Sequence, residues 1–338
     1  MPFDVLMLAV SLGLILLASV IFTNSVEMFG KKLNIHQGAT GSILAAVGTA
    51  LPETVIPIIA ILVYHDADAK NVGIGAIAGA PFMLGTLAFF VTGAAVLVFS
   101  ALGRRTRAMH IDQPLLVRDL TFFVVLYGAA VLTTFLHEWF VVKVIVAIGL
   151  FLAYILYVKM TLASEGTEHE DVDALYICRI LGTKVSTTWI VIQLLLSLGL
   201  MIWSAHMFVG YVRDLSLLLG ISTIVLSMII TPIATELPEK CNSVLWIGQK
   251  KDIMALGNIT GAMVFQSSFP VVFGILFTHW DLSGPPMVSA ILAFMSAFLV
   301  LMWVKAKKSL NAYVLMAGGL LYAVFIAYIM LRASMPQP

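Results

Sequence analysis

The chain alternates long apolar stretches with short polar breaks along its whole length. Ten of these stretches approach or exceed the roughly 20 residues that a helix needs to cross the hydrocarbon core of a bilayer. They cover residues 5–28, 37–64, 71–102, 119–137, 139–160, 187–212, 216–248, 253–279, 286–305 and 310–332. Because a helix satisfies its own backbone groups in lipid, the pattern predicts an all-α integral membrane protein with ten transmembrane helices.

The composition fits a protein that lies largely within lipid. Of the 338 residues, 61% are hydrophobic and 11% are charged, proportions that a soluble domain of this length does not reach. No basic residue precedes the first stretch, which is longer than the apolar core of a secretion signal, so it is predicted to be retained as a helix. The net charge of +1 indicates no nucleic-acid partner. The expected partners are the lipid bilayer and inorganic cations.

The basic residues are distributed unequally between the two sides of the predicted membrane. The side opposite the N-terminus collects Lys31, Lys32, Arg104, Arg105, Arg107, Arg118, Lys159, Arg179, Lys184, Lys250, Lys251, Lys305, Lys307 and Lys308. The N-terminal side holds only Lys70, Arg213 and Arg332, with Lys143 close to it. The positive-inside rule makes the basic side cytoplasmic. Both termini are therefore predicted to be extracellular or periplasmic, in a multi-pass protein of the cell (inner) membrane.

Two short segments are near copies of each other. Residues 49–53 read Thr-Ala-Leu-Pro-Glu, and residues 235–239, which lie 186 positions later, read Thr-Glu-Leu-Pro-Glu. A Gly-x-x-x-Gly-Ala sequence follows each copy, at 75–80 and at 257–262. Five predicted helices separate equivalent positions, so the two halves enter the membrane in opposite directions. This is the inverted-repeat arrangement of secondary transporters, whose discontinuous helices form a substrate site where the halves meet.

The halves are predicted to cover residues 1–160 and 186–338, with repeat motifs at 38–85 and 220–268. A cytoplasmic linker, 161–185, joins them and contains Glu165, Glu168, His169, Glu170, Asp171 and Asp173. A solvated linker is the ordinary interpretation of such a run of like charges, and a regulatory cation site is the alternative. The spacing does not match the alternating ligands of a calcium loop.

Each copy supplies oxygen atoms that suit a hard cation. Proline has no amide hydrogen, so Pro52 frees the carbonyl of Gly48, and Pro238 frees that of Ala234, from their helical hydrogen bonds. In lipid a freed carbonyl needs another partner, and lining an ion cavity provides one. The adjoining hydroxyl groups are those of Thr49 and Thr235. Without a His or Cys cluster, this set favours calcium, magnesium or sodium over softer metals.

Three carboxylates accompany these groups: Glu53, Glu236 and Glu239. Glu236 and Glu239 are three residues apart and share a helix face, while Glu53 and Glu239 are equivalents in the two halves. Inside lipid, three charges cost on the order of 10 kcal/mol unless a cation or protons neutralise them. Asn258 and Gln266 are further ligand candidates, with interhelical hydrogen bonds as the alternative. The glycine pairs of the two motifs predict close packing of helices three and eight against helices two and seven.

With residues 48–53 (Gly-Thr-Ala-Leu-Pro-Glu) and 235–239, the chain resembles the cation/calcium exchanger superfamily. That family has two inverted alpha repeats with a Gly-Thr-Ser-Leu-Pro-Glu core, ten helices in its prokaryotic members, and extracellular termini. The resemblance implies that Glu53 and Glu239 bind calcium at the centre. It also implies that Thr49 and Thr235 are adjoining ligands for calcium or sodium.

The chain departs from the family pattern at positions that bear on ion choice. The family's glycine helices read Gly-Ser-Asn-x-x-Asn or close to it, whereas Ala80 and Leu84 occupy the serine and last asparagine positions of the first repeat. Ala262 and Gln266 occupy those of the second, and Ala50 and Glu236 replace the motif serines of helices two and seven. The site thus has fewer neutral oxygens and one more carboxylate, so the counter-ion is either sodium or protons.

These features predict a secondary active cation antiporter that works by alternating access, with calcium as the default substrate. Magnesium or another divalent cation is an alternative substrate. A passive cation channel and a non-transporting cation-binding protein are the alternatives from other classes, although no filter loop indicates a channel. No nucleophile–base or metal motif accompanies the carboxylates, so neither enzyme activity nor a cofactor is expected. The oligomeric state is left open.

Overall fold

The computed structural model describes residues 2–32, 51–64, 66–136, 139–164 and 174–334, without the side chains of some helical positions, 237–242 among them. This part of the chain is almost entirely helical. Its helices are α1 (Pro2–Lys32), α2 (Leu51–Leu62), α3 (Ala67–Met83), α4 (Phe89–Ala101), α5 (Gln113–Leu132), α6 (Phe140–Ser164), α7 (Tyr176–Leu181), α8 (Thr187–Leu219), α9 (Thr223–Gly248), α10 (Asp252–Gln266), α11 (Phe269–Phe277), α12 (Pro285–Lys307) and α13 (Ala312–Ser334). A π-helical turn, Leu84–Ala88, joins α3 to α4, and a 3-10 turn, Thr133–Phe135, follows α5. Two-residue strands, β1 (Ala108–Met109) and β2 (Leu310–Asn311), pair in antiparallel fashion.

Eight helical segments of the described residues are long and apolar enough to cross a membrane. They are Phe3–Phe29, Ala67–Ala101, Gln113–Phe135, Phe140–Thr161, Thr187–Leu219, Asp252–Phe277, Pro285–Lys307 and Ala312–Arg332. Two shorter apolar segments, Pro52–Leu62 and Thr223–Glu236, lie inside the remaining two predicted spans. The prediction of a multi-pass helical membrane protein is confirmed. The count of ten spans and the inverted relation of the halves stay predictions, because residues 33–50 lie outside the described chain.

The outer helices expose apolar side chains on one face. On α6, Val141, Ile145, Ile148 and Leu152 are 71%, 62%, 53% and 58% exposed, and their spacing of three and four residues places them on a single face of the helix. Such a face is incompatible with water over so long a helix and is suited to lipid. The helix packs its other side against α5 and α11.

The long helices α1 and α8 pack along each other over much of their length. Ser11, Ile15, Ala18 and Ser25 form the buried stripe of α1, at the spacing of one helix face. Three of these four side chains are small, and small residues let two helix backbones approach closely in lipid. The first and sixth predicted spans therefore form one paired unit beside the rest of the bundle.

The helix α3 lies against α9 because its two motif glycines leave no side chain between them. A Cβ atom at Gly75 would lie 2.5 Å from the carbonyl oxygen of Ile224. A Cβ atom at Gly79 would overlap the carbonyl group of Met228 and would lie 2.8 Å from Cγ of Pro232. The predicted packing role of the first glycine pair is thus confirmed. For Gly257 and Gly261, the predicted partner helix includes residues 37–50, which lie outside the described chain.

The linker between the halves contains a helix that the sequence did not predict. Helix α7 is docked on the bundle: Leu175 and Cys178 are buried beside Ile190 of α8. Asn24 of α1 accepts a hydrogen bond from the amide of Tyr176 at 3.3 Å, and Gln193 of α8 accepts one from the next amide, that of Ile177, at 2.8 Å. Buried side chains and satisfied amides therefore hold residues 175–178 of the predicted linker on the bundle, while residues 179–185 are exposed, as a solvated linker would be. The acidic run at 165–173 lies outside the described residues.

Candidate cation site

The carboxylate of the first repeat is buried in the bundle. Glu53 is 6% exposed and lies in α2, where the neighbouring Thr54 and Ile56 are 8% and 0% exposed. Helix α2 contacts α9, which carries the second motif, and α11. The Glu53 carboxylate is therefore buried on a helix that contacts helices of both predicted halves. The other first-repeat candidates, Gly48 and Thr49, lie outside the described residues.

The second repeat brings a carboxylate and an amide together. Glu236 of α9 and Gln266 at the end of α10 are each 2% exposed, and Nε2 of Gln266 donates to Oε1 of Glu236 over 3.4 Å. The amide oxygen of Gln266 is buried and accepts no hydrogen bond from the described residues. A carboxylate and a buried amide oxygen are both of the oxygen type that a hard cation binds, at about 2.3–2.6 Å when the cation is calcium.

Helix α9 stays helical through the second motif. The backbone is continuous from Thr223 to Gly248, so the interruption expected at Pro238 is absent. Proline still removes the amide that would bind the carbonyl of Ala234, which leaves that oxygen without its usual helical donor. The hydroxyl of Thr235, itself 2% exposed, donates to the carbonyl of Thr231 at 3.0 Å. Its oxygen lone pairs remain able to contact a cation.

The interruption occurs instead in the predicted eighth helix, beside Gln266. Helix α10 ends at Gln266, and α11 begins at Phe269 with Pro270 in its first turn. The hydroxyls of Ser267 and Ser268 donate to the carbonyl of Val264 at 2.9 and 2.8 Å. These bonds satisfy backbone oxygens that the break would otherwise expose. Irregular backbone within a membrane is tolerated where it is buried in protein or lines a cavity.

Helix α3 is irregular at the equivalent position. Its π-helical turn starts at Leu84, which lies 182 residues before Gln266, the same offset that separates the motif glycines. The hydroxyl of Ser296, on α12, donates to the carbonyl of Gly85 within this turn. π-Helical turns are frequent at functional sites. The π-helical turn after α3 and the break after α10 thus occupy equivalent positions in the two predicted repeats, beside the region where the sequence predicts the cation site.

The other two candidates of the second repeat are Glu239 and Asn258, and Asn258 can be placed relative to Gln266. Position 239 lies one helical turn beyond Glu236 on the continuous α9, but its side chain is outside the described part of the chain. Asn258 lies half-buried on α10, eight residues before Gln266. Those eight residues span about 12 Å of helix axis, more than the ligand shell of one cation. Among the side chains that are described, no three His, Cys, Asp or Glu residues form a metal-binding group.

Sequence analysis missed a buried carboxylate on α5. Asp119 is 2% exposed and accepts hydrogen bonds from Thr260 of α10 at 2.8 Å and from Nη2 of Arg118 at 3.0 Å. The guanidinium group of Arg118 lies 5.2 Å from the ring centre of Tyr157. The signal was available, since Arg118 and Asp119 are adjacent at the start of an apolar stretch, but that position had been assigned to a span boundary. The cluster fixes α10, the helix that ends at Gln266, to α5.

A second polar cluster lies at the predicted outer end of α8. The ring of Tyr64 stacks on His206 with 4.7 Å between ring centres, and its hydroxyl donates to the carbonyl of His206 at 3.0 Å. Arg213 lies over the ring of Tyr64 at 5.5 Å and pairs with Asp66 at 3.3 Å. His206 therefore joins α8 to the loop before α3.

Comparison with known proteins gives one consistent result. A family model described as sodium/calcium exchanger protein matches residues 3–163 and 189–333. An uncharacterized membrane protein of Methanocaldococcus jannaschii is 25% identical over 292 residues, which cover 86% of this chain and 87% of that protein.

Solved exchanger structures share the fold. The crystal structure of the H+/Ca2+ exchanger CAX matches with a TM-score of 0.69 and 14% identity, covering 97% of this chain and 86% of that one. Native YfkE matches with a TM-score of 0.69 and 11% identity, covering 97% and 92%. The sodium-calcium exchanger NCX_Mj, soaked with Na+ and Sr2+, matches with a TM-score of 0.56 and 19% identity, covering 99% of both chains.

Proposed function

Since the chain belongs to the sodium/calcium exchanger protein family, we propose that it is a secondary active antiporter that exchanges calcium for protons. The observation that carries this proposal is the buried contact of Glu236 with Gln266, at a helix break and on a helix that contacts α2, where Glu53 is buried. Because the family consists of exchangers and not of enzymes, these carboxylates serve ion binding. They have no catalytic role.

The proposed coordination shell draws on both halves. Glu53, Glu236 and Gln266 supply described oxygens, and Glu239 is proposed to supply the fourth from the next turn of α9. The carbonyls of Gly48 and Ala234 and the hydroxyls of Thr49 and Thr235 complete the set of candidate ligands. Asn258 lies too far along α10 to share this shell with Gln266 and is assigned to the cytoplasmic approach.

The balance of ligands favours protons over sodium as the counter-ion. Ala80 and Leu84 remove neutral oxygens from the first glycine helix, while Glu236 adds a carboxylate where the family motif has serine. Sodium sites lose ligands by these changes. Neighbouring carboxylates that repel one another bind protons readily, and a divalent cation displaces those protons when it binds.

Alternating access is proposed to follow from the packing of α1 against α8. These two helices pair with each other more extensively than either does with the helices that carry the site. A paired unit of this kind can slide as one body past α2, α3, α9 and α10. Binding of the cation neutralises the carboxylates and so lowers the cost of crossing the membrane midplane.

Uptake into proteoliposomes tests this proposal. Proteoliposomes that contain the purified protein are given a pH gradient, a sodium gradient or neither, and the entry of calcium, magnesium and manganese is followed. Glu53→Gln and Glu239→Gln are expected to abolish uptake, at least about a hundredfold, while the protein stays folded, because each removes a charge that binds the cation. Asp68→Asn, an exposed carboxylate in the first turn of α3, is the matched control and should transport normally.

The outcomes separate the alternatives. Uptake that needs a more acidic interior, so that protons flow outward, supports calcium–proton exchange. Uptake that needs a higher sodium concentration inside makes sodium the counter-ion. Uptake without any counter-ion gradient indicates a passive channel, and calcium binding without uptake indicates a non-transporting protein. Normal exchange by either glutamine variant would remove that glutamate from the site.

A further inference from the structure

A cavity of about 490 Å³ opens at the predicted outer face, between the first turns of α3 and α6 and the end of α11. Its lining residues are Lys70, Phe140, Lys143, Ile275, Leu276, Phe277, Thr278 and His279. The cavity is separate from the candidate cation site, since none of its lining residues belongs to that site. It combines basic groups with apolar groups, and neither a cation site nor a simple packing defect requires that combination.

Lys143 is the unusual member of the lining. The residue is only 6% exposed, although it carries a charged ammonium group with three donors. Within the described chain, Nζ makes one long hydrogen bond, of 3.3 Å to the carbonyl oxygen of His279, and no carboxylate lies within ion-pair distance of it. A buried ammonium group is stable only when it is paired, so this position calls for an anion.

The distribution of charge along the chain supports the same conclusion. Most basic residues lie on the predicted cytoplasmic side, and Lys70 and Lys143 are two of the few that do not. Both line this one cavity. The cavity also adjoins the first turn of α6, a helix of 25 residues whose N-terminal amides carry partial positive charge. Three sources of positive potential therefore converge where the chain otherwise avoids basic residues.

The rim of the cavity indicates the kind of anion. Phe140 and Phe277 are 62% and 49% exposed, and the faces of α6 and α11 that carry such residues suit lipid. A phosphate group fits the donors of Lys70 and Lys143, and acyl chains fit the apolar rim. We propose that this cavity binds a phosphate group, supplied by an acidic phospholipid of the outer leaflet. Inorganic phosphate shares the recognised chemistry, and the test separates the two sources.

Lipid binding to the purified full-length protein in neutral detergent tests the inference, with no need for transport. Native mass spectrometry counts bound phosphatidylglycerol and phosphatidylcholine, and thermal unfolding measures protection by either lipid or by inorganic phosphate. The wild type should bind phosphatidylglycerol in preference to phosphatidylcholine. Lys143→Met should weaken that binding about tenfold, and Lys143→Arg should restore it, because one charge-assisted contact is lost and regained.

Two further variants keep the test decisive. Lys70→Met should also weaken binding, which covers the case in which Lys143→Met does not fold, and Lys305→Met on the exposed cytoplasmic end of α12 should bind as the wild type does. Protection by inorganic phosphate alone keeps the phosphate site but makes the source a soluble ion. Equal lipid binding by wild type, Lys143→Met and Lys70→Met overturns the inference. Glu138 lies five positions before Lys143 in the sequence and outside the described residues. The inference is also overturned if Glu138→Gln destabilises the ligand-free protein as much as Lys143→Met does, because an internal carboxylate would then fill the role of the anion.

Discussion

At the scale of single residues, this protein keeps charge inside its bundle by pairing it. Arg105, from the loop after α4, donates to both carboxylate oxygens of Asp252 at 2.6 and 2.7 Å, and the two side chains are 4% and 3% exposed. Arg105 also donates to the carbonyl of Ile247 at 2.9 Å, and the amide of His110 donates to Asp252 at 2.8 Å. A buried pair of this kind is tolerated because its hydrogen bonds are complete.

Replacing Asp252 by asparagine should destabilise the protein strongly. The change keeps the shape of the side chain but leaves the guanidinium of Arg105 buried without its charge partner, which costs roughly 3–5 kcal/mol. The expected result is a clear drop in the midpoint of thermal unfolding in detergent, measured by tryptophan fluorescence.

Asp66→Asn is the matched control for that measurement. Asp66 lies 186 residues before Asp252, also at the start of a glycine helix, and pairs with Arg213 at 3.3 Å. Its pair is 29% and 43% exposed, so solvent screens it and its loss should cost at most about 1 kcal/mol. Asparagine can still accept from the amide of Ala69, as Asp66 does at 2.9 Å. Equal destabilisation by the two variants would show that burial does not set the strength of these pairs.

Glu236 is expected to set how strongly cation binding depends on pH. Protons and the cation compete for the same carboxylates, so affinity falls on acidification. Glu236→Gln removes one competing carboxylate, so the negative slope of log Kd against pH should become shallower by about one. Isothermal titration with calcium at several pH values measures that slope. An unchanged slope places Glu236 outside the coordination shell, and Ser267→Ala, which alters a neighbouring hydroxyl and no charge, is the control.

At the scale of helices, close contact between α3 and α9 is fixed by two glycines and one hydroxyl. Beyond the contacts of Gly75 and Gly79 with the α9 backbone, Ser227 of α9 donates to the carbonyl of Val72 at 2.7 Å. This bond crosses from the helix of one half to the helix of the other. The two helices therefore behave as one rigid element beside the candidate site.

Gly79→Ala should separate α3 from α9 and lower stability. The added methyl group overlaps the backbone of Met228, which cannot rotate away as a side chain would, so a loss of about 1–3 kcal/mol is expected. Gly149→Ala on α6 is the control, because nothing lies within 4 Å of its Cβ position and alanine is the better helix former. The midpoint of thermal unfolding should fall for the first variant and hold or rise for the second. A tolerated Gly79→Ala would mean that α3 and α9 are free to adjust.

Helix positions were predictable from the long apolar stretches between polar breaks, whereas helix irregularities were not. The predicted span 187–212 corresponds to α8 (Thr187–Leu219), and 286–305 corresponds to α12 (Pro285–Lys307). A proline marks the place where a helix loses a hydrogen bond, but tertiary packing decides whether the helix bends. Thus α9 continues through Pro238, while the helix before Pro270 breaks at a place where the hydroxyls of Ser267 and Ser268 both donate to the carbonyl of Val264.

The candidate site was predictable in part for the same reason. A carboxylate beside a proline in an apolar stretch is a local signal for Glu53 and Glu239, and the helical spacing from Glu239 adds Glu236; of these, Glu53 and Glu236 are buried. The contact of Glu236 with Gln266 joins residues 30 positions apart and depends on how α10 packs against α9. The hydrogen bond of Asp119 with Thr260 joins residues 141 positions apart, and although the adjacent Arg118 and Asp119 are visible in the sequence, no local pattern predicts Thr260 as their partner.

At the scale of the whole molecule, the linker between the halves contributes to the paired unit of α1 and α8. The amide of Gln193 donates to Asn24 at 3.0 Å and to Ser25 at 2.9 Å, which ties α8 to α1. The same two side chains, Asn24 and Gln193, accept from the first amides of α7. Helix α7 is thus attached to the paired unit of α1 and α8. If that unit slides past the proposed cation site, the linker moves with it.

The orientation of the protein in the membrane can be determined by labelling single cysteines at the two ends of α12. Ser283 and Ser309 are exposed residues at opposite ends of α12. Because basic residues gather at the end near Ser309, the positive-inside rule places Ser309 in the cytoplasm and Ser283 outside. In a background without Cys178 and Cys241, a membrane-impermeant maleimide applied to intact cells should label Ser283→Cys and spare Ser309→Cys. Permeabilised cells should show labelling of both.

The reverse labelling pattern would have consequences beyond topology. It would move the cavity of Lys70 and Lys143 to the cytoplasmic leaflet and place the buried pair of Arg105 and Asp252 at the outer face. The proposed cation site would be unaffected, because Glu53, Glu236 and Gln266 are buried within the bundle. The direction in which a pH gradient drives uptake would stay the same, because the ion gradients and the exchange ratio set it for either orientation, so the labelling result tests the topology independently of the flux result.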